Sequence, residues 1–147
     1  MAQAYSEPVP THKEFSMPYL HIQLSGDADD DLAQRVAARA TDLTARLLGK
    51  DPGLTAVVID FVPARRWFIA KEALSVSGAR SYHWLVTITD ETNTKAEKAA
   101  YLAAVHETMG GLLGGVADHS YVQVSDVRAA AYGYGGVTQE RRYQRPG

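Results

Sequence analysis

Apolar and polar residues alternate along Leu20, His21, Ile22, Gln23 and Leu24, the period of two expected of a strand buried on one face. Gly26 and Asp27 break that run. Asp29, Asp30 and Asp31 then crowd a helix start, where negative charge complements the helix dipole. Leu32, Val36, Ala40, Leu43 and Leu47 follow at helical spacing, and Gly49 marks the stop. Beyond Lys50-Asp51-Pro52-Gly53, the β-branched and apolar run from Thr55 to Val62 predicts a second strand that Pro63 ends.

The pattern then repeats. Tyr82 to Thr89 predicts a strand, and Thr94 with Glu97 three residues on forms a capping box. Ala99, Leu102, Val105, Met109 and Leu112 continue as an amphipathic helix whose end is weakened by Gly110, Gly111, Gly114 and Gly115. Ser120 to Val127 predicts the last long strand, followed by a glycine-rich hairpin over Ala131-Tyr132-Gly133-Tyr134-Gly135-Gly136. Thr55 set against Ser120 superposes Val57 on Val122, Ile59 on Val124, Val62 on Val127 and Trp67 on Tyr132, at a constant offset of 65 residues. Two βαβ units in tandem follow. Each places its strands parallel and its helix on one face. The fold class is therefore α+β, a four-stranded sheet with two helices on one side. The other face is expected to be apolar, since Val57, Ile59 and Phe61 on one parity and Val58 and Asp60 on the other leave few strictly polar positions, and so to meet another subunit.

The 147 residues fit one compact domain of this kind. Residues 1–16, with Pro8 and Pro10 among polar neighbours, read as a flexible arm or an upstream start not used in the cell. Residues 17–147 form the single domain, with unit one over 18–70, unit two over 81–136 and a tail over 137–147. Hydrophobic residues make up 46% of the chain, enough for a core. A net charge of −2 argues against a nucleic-acid partner. No apolar run reaches the roughly 20 residues of a membrane span. The absence of cysteine excludes disulfides and thiolate chemistry and fits a cytoplasmic protein. His12, His21, His83, His106 and His119 show no metal-ligand spacing. No phosphate loop is evident.

One short run carries chemistry. Met17-Pro18 opens the first strand, and a proline at a chain terminus is a secondary amine that can act as a general base in an apolar pocket. Together with the repeated βαβ unit and the hairpin Tyr132-Gly133-Tyr134-Gly135-Gly136, this run makes residues 17–136 resemble the tautomerase superfamily, which includes 4-oxalocrotonate tautomerase and macrophage migration inhibitory factor. Gly49-Lys50 before the second strand, and Tyr121-Val122-Gln123 before Asp126, are similar to the double-length members.

The resemblance implies a trimer that isomerises a small 2-oxo or enol carboxylate without a cofactor. It implies Pro18 as the base after residues 1–17 are removed, Lys50 as a carboxylate ligand, and Tyr121, Gln123 and Tyr132 around the pocket, partly from a neighbouring subunit. The family's arginine on the second strand falls at Val58 and Tyr121 here, and the arginine pair of its decarboxylase and dehalogenase branches is replaced by Asp90-Glu91-Thr92. Carboxylate binding must differ accordingly, and Arg65 and Arg66 beside Trp67 offer one bidentate alternative.

Each residue also has a plainer reading. Pro18 suits an edge strand after a linker. Lys50 suits a helix C-terminus, and Arg65 and Arg66 suit a surface stacked on an aromatic side chain. If residues 1–16 stay in place, Pro18 is an amide and the chain is a noncatalytic trimeric binding or scaffold protein of the same fold.

Overall fold

The computed structural model describes residues 17–144. The arm expected over 1–16 and the end of the tail, 145–147, lie outside the described residues.

Strand β1 (Tyr19–Ser25) buries Leu20, Ile22 and Leu24 completely and leaves the intervening side chains outside the core. Helix α1 (Asp30–Leu48) begins where the Asp29 carboxylate accepts from the Leu32 amide at 3.0 Å, and ends at Gly49 with φ 68°. It buries Leu32, Val36, Ala40, Leu43 and Leu48. A short 3₁₀ turn over Pro52–Leu54 leads to β2 (Ala56–Val62), parallel to β1 with Tyr19 opposite Ala56 and Ser25 opposite Val62. A hairpin of β3 (Phe68–Ile69) and β4 (Glu72–Ala73) and a short helix α2 (Leu74–Ser77) complete the first unit.

The second unit repeats these elements: β5 (Tyr82–Thr89), α3 (Lys95–Leu113), β6 (Tyr121–Val127), the hairpin β7 (Gly133–Tyr134) and β8 (Val137–Thr138), and α4 (Gln139–Gln144). The 65-residue offset holds past residue 136. Glu72 corresponds to Val137 and Leu74 to Gln139, and Leu74 N–H donates to Trp67 O at 2.9 Å as Gln139 N–H donates to Tyr132 O at 2.7 Å. Much of the expected tail is thus the repeat of β4 and α2.

The sheet order is β2-β1-β5-β6, with β1 and β5 antiparallel at the centre and the two edge strands each parallel to its neighbour. The central strands meet with Ile22 opposite Trp84, beneath both helices. Trp84 packs edge-on to Tyr101 at 6.4 Å between ring centroids. The buried stripe of α3 is Tyr101, Val105, Met109 and Leu113; Leu102, expected to face the core, is exposed instead. Apolar residues lie all round this helix. Its rotation is set by the Tyr101 hydroxyl, which finds Thr44 Oγ1 at 2.8 Å and Trp84 Nε1 at 3.0 Å inside the core.

The open face of the sheet corrects the apolar surface expected there. Val57, Ile59 and Phe61 pack on the helix side. The opposite parity presents Tyr19, Val58, Leu85 and Tyr121 interleaved with His21, Gln23, Asp60, His83 and Gln123. His21 Nε2 and Asp60 Oδ2 pair across neighbouring strands at 2.6 Å, and His83 Nδ1 lies 3.4 Å from Gln23 Oε1. That parity decides the matter: it carries His21 and Gln23 on β1 and Gln123 and Ser125 on β6.

Candidate active site

Three segments meet where β1 begins. The first is Met17 to Tyr19, with Pro18 buried and its carbonyl accepting from the Ala56 amide at 3.3 Å. The second is the turn from Gly53 to Ala56 that feeds β2. The third is the start of the second hairpin, Tyr132 to Tyr134. Between them lies a cavity of about 500 Å³. The hairpin reaches this place because β5 runs antiparallel to β1, so that β6, parallel to β5, finishes at the end of the sheet at which β1 starts. The tight hairpin needs Gly133, where a Cβ would stand 2.0 Å from the Val137 carbonyl oxygen.

Tyr132 ties the second hairpin to the residues just ahead of β1. Its hydroxyl donates to the Met17 carbonyl oxygen at 2.6 Å and lies 3.2 Å from the Thr87 carbonyl oxygen. Burial pushes this phenol up to about 12, so it remains a donor throughout the neutral range. Tyr134 walls the cavity beside it. The Arg142 guanidinium covers the Tyr134 ring at 3.7 Å and Nη2 donates to the Tyr134 carbonyl at 2.8 Å. This places a cation behind the wall and none on the lining itself, which holds no lysine or arginine.

Of the residues singled out in the sequence, a single chain brings Pro18 and Tyr132 together. Lys50 is 3% exposed in the connection from α1 to β2, at the Pro18 end of the sheet, where Nζ donates to Thr92 Oγ1 at 2.9 Å; it does not line the cavity. Arg65 and Arg66 are exposed in the 3₁₀ turn after β2, at the far end of the sheet. The seven-residue strand puts them on the order of 20 Å from Pro18. Tyr121 is 64% exposed and lies opposite His83, with Gln123 opposite Leu85, on the edge strand β6 two strands from β1. Tyr19, Leu54, Thr55 and Tyr134 line the cavity although the sequence reading gave none of them a site role. For Tyr19 the signal was its adjacency to Pro18. For Leu54 and Thr55 it was their place at the head of β2, which must start beside β1. Among the described residues no three acidic or histidine side chains are placed to hold a metal ion, and no helix is long and apolar enough to cross a membrane.

Residues 18–76, a segment that starts on Pro18, match the Tautomerase family model, described as tautomerase enzyme. No curated protein matches the sequence. Among solved structures, a native fused 4-OT superposes with a TM-score of 0.74 at 22% identity, covering 84% of this chain and 97% of its own. Pt0534 inactivated by 2-oxo-3-pentynoate gives 0.73 at 18% identity, covering 84% and 98%. The F6 fused 4-OT wild-type asymmetric trimer gives 0.73 at 18% identity, covering 86% and 99%. The chain thus carries a Tautomerase match over residues 18–76 and has the fold of the double-length, fused 4-OT structures.

Proposed function

We propose that the chain, once it begins at Pro18, is a cofactor-independent tautomerase of a small 2-oxo or enol carboxylate. The observation that carries this reading is the burial of Pro18 at the wall of a largely apolar cavity. A secondary amine there is desolvated among Leu54, Tyr132 and Tyr134, which disfavours its charged form and lowers its pKa toward neutrality. The amine removes a proton from one end of the keto-enol system and returns it at the other. The fold of the protein inactivated by 2-oxo-3-pentynoate supports a 2-oxo acid as the substrate class.

The carboxylate of that substrate needs a cation. Lys50 is the candidate within the chain, at the same end of the sheet as Pro18. Tyr121, Gln123, Arg65 and Arg66 stand too far away in their own subunit and would serve the site of a neighbouring copy. Trimeric fused 4-OT of the same fold supports such an arrangement. The test is ketonisation of phenylenolpyruvate by a chain beginning at Pro18, with and without prior exposure to 2-oxo-3-pentynoate. Turnover and a single adduct on Pro18 are expected. A chain that neither turns over nor is labelled at Pro18 would sink the reading. All ladders of the four-stranded sheet and the joint helix–sheet core lie within residues 19–127, so the shortened chain retains them.

A second reading has one observation in its favour. With Met17 in place, Pro18 is an amide, Met17 is 6% exposed, and its carbonyl is held by Tyr132. In that form the protein is a noncatalytic binding or scaffold protein. The intact mass of the protein from its native cell separates the two: a mass starting at Pro18 selects the enzyme, and one starting at Met1 or Ala2 the scaffold.

A further inference from the structure

The carbonyl group of Met17 occupies the space in which a substrate of the Pro18 amine would react. An amide oxygen lies about 2.3 Å from its own nitrogen, given bonds of about 1.23 and 1.33 Å. Tyr132 Oη is 2.6 Å beyond that oxygen. The hydroxyl is thus on the order of 4–5 Å from the Pro18 nitrogen. When residues 1–17 are removed, the carbonyl leaves, and the phenol keeps its second acceptor, the Thr87 carbonyl oxygen at 3.2 Å. Its position is held by the hairpin, through the Gln139 N–H bond to Tyr132 O at 2.7 Å and the close approach at Gly133. A donor kept in place in this way needs no reorganisation when charge develops beside it.

We infer that Tyr132 is a catalytic residue whose hydroxyl donates a hydrogen bond to the keto–enol oxygen of the substrate. This rests on the tautomerase reading above and assigns a role that the position's aromatic ring alone does not imply. A reacting carbon about 3 Å from the nitrogen allows the oxygen on its neighbouring carbon to lie between the amine and the phenol, just beyond the place Met17 O now takes. In the ketonisation of phenylenolpyruvate, the Pro18 amine takes the enol O–H proton. The resulting enolate oxygen is held by Tyr132 O–H, and the ammonium delivers the proton to the adjacent carbon. One hydrogen moves from oxygen to carbon, the O–H bond breaks, a C–H bond forms, and nothing is oxidised. Tyr132 remains protonated at every step. Of the other hydroxyl-bearing side chains on the cavity wall, Thr55 Oγ1 is already engaged, donating to the Asp51 carbonyl oxygen at 2.8 Å.

The experiment uses the chain beginning at Pro18. Tyr132→Phe keeps the ring and removes the donor, and kcat for phenylenolpyruvate is expected to fall by about 100-fold or more, with KM changed by less than about threefold. A ring-fluorinated tyrosine at position 132 keeps both shape and donor while acidifying the phenol. It is expected to introduce a new alkaline limb in the kcat profile, which a merely structural role would not produce and which serves if the Phe variant folds poorly. If Tyr132→Phe retains kcat within threefold, or the fluorinated protein shows no new limb, the assignment is overturned while the tautomerase reading stands. If the unsubstituted chain is inactive and unlabelled at Pro18, both fall together.

Discussion

The hydroxyls of Thr44 and Tyr101 meet at 2.8 Å between the two helices, and the Tyr101 oxygen also accepts from Trp84 Nε1 at 3.0 Å. Thr44 in turn donates to the Ala40 carbonyl at 2.7 Å, so the chain of bonds runs from one helix through the other to the central strand. These are the polar atoms about which the core closes. Tyr101→Phe would leave the buried indole N–H without an acceptor. A loss of roughly 1–3 kcal/mol is expected, read from urea unfolding followed by tryptophan fluorescence.

The two hairpins differ in how they turn. Gly135 and Gly136 take φ of 59° and 81° in the second, and the first has Ala70 and Lys71 at 51° and 70°. A side chain in the left-handed region costs about 1–2 kcal/mol, offset in part by the greater unfolded freedom of glycine. Ala70→Gly and Lys71→Gly should each raise stability by up to about 1 kcal/mol, and Gly136→Ala should lower it by a similar amount. Thermal or urea midpoints of the three variants check the sign.

Burial pushes Tyr82, Tyr101 and Tyr132 up to about 12, against an ordinary value of 10.0. A raised folded pKa means that the unfolded chain releases its protons first as pH increases, so stability present below pH 10 is lost between about 10 and 12. The urea midpoint should fall through that window. Tyrosinate absorbance should report these three ionising only as the protein unfolds.

Replacement of Pro18 by alanine in the chain beginning at that residue changes a secondary amine into a primary one and loosens its packing. General-base catalysis contributes about 10²–10⁴-fold, and turnover of phenylenolpyruvate is expected to drop by that order. The measurement is kcat/KM across pH, in which the acid limb reports the amine.

The four long strands and the tandem repeat were legible because alternation in β1 and the match at constant offset leave little choice of parity or connection. The start of α3 was legible from Thr94 and Glu97, whose reciprocal bonds form at 3.1 and 2.8 Å. Its rotation was not, since Ala99 and Leu102 are as apolar as the residues that are buried, and the decision belongs to a hydroxyl network spanning three elements. The character of the open face was not legible from β2, which is nearly all apolar; His21, Gln23, His83 and Gln123 sit on the other three strands. At the site, Pro18 and Tyr132 could be named from the sequence, 114 residues apart. The bond from Tyr132 to the Met17 carbonyl could not, because it depends on β5 reversing direction against β1.

Trp67 holds in the first unit the place that Tyr132 holds in the second, yet the strand near it does not begin at a chain end: β5 is entered from Ser81, whose amide donates to Ser25 Oγ at 2.9 Å. Two separate units would present two chain starts. Joined head to tail, they have one, and the duplicated end of the molecule has no amine to contribute. On the tautomerase reading, Arg65, Arg66 and Trp67 therefore frame no amine of their own, and what the arginines can offer is charge to the site of a neighbouring copy.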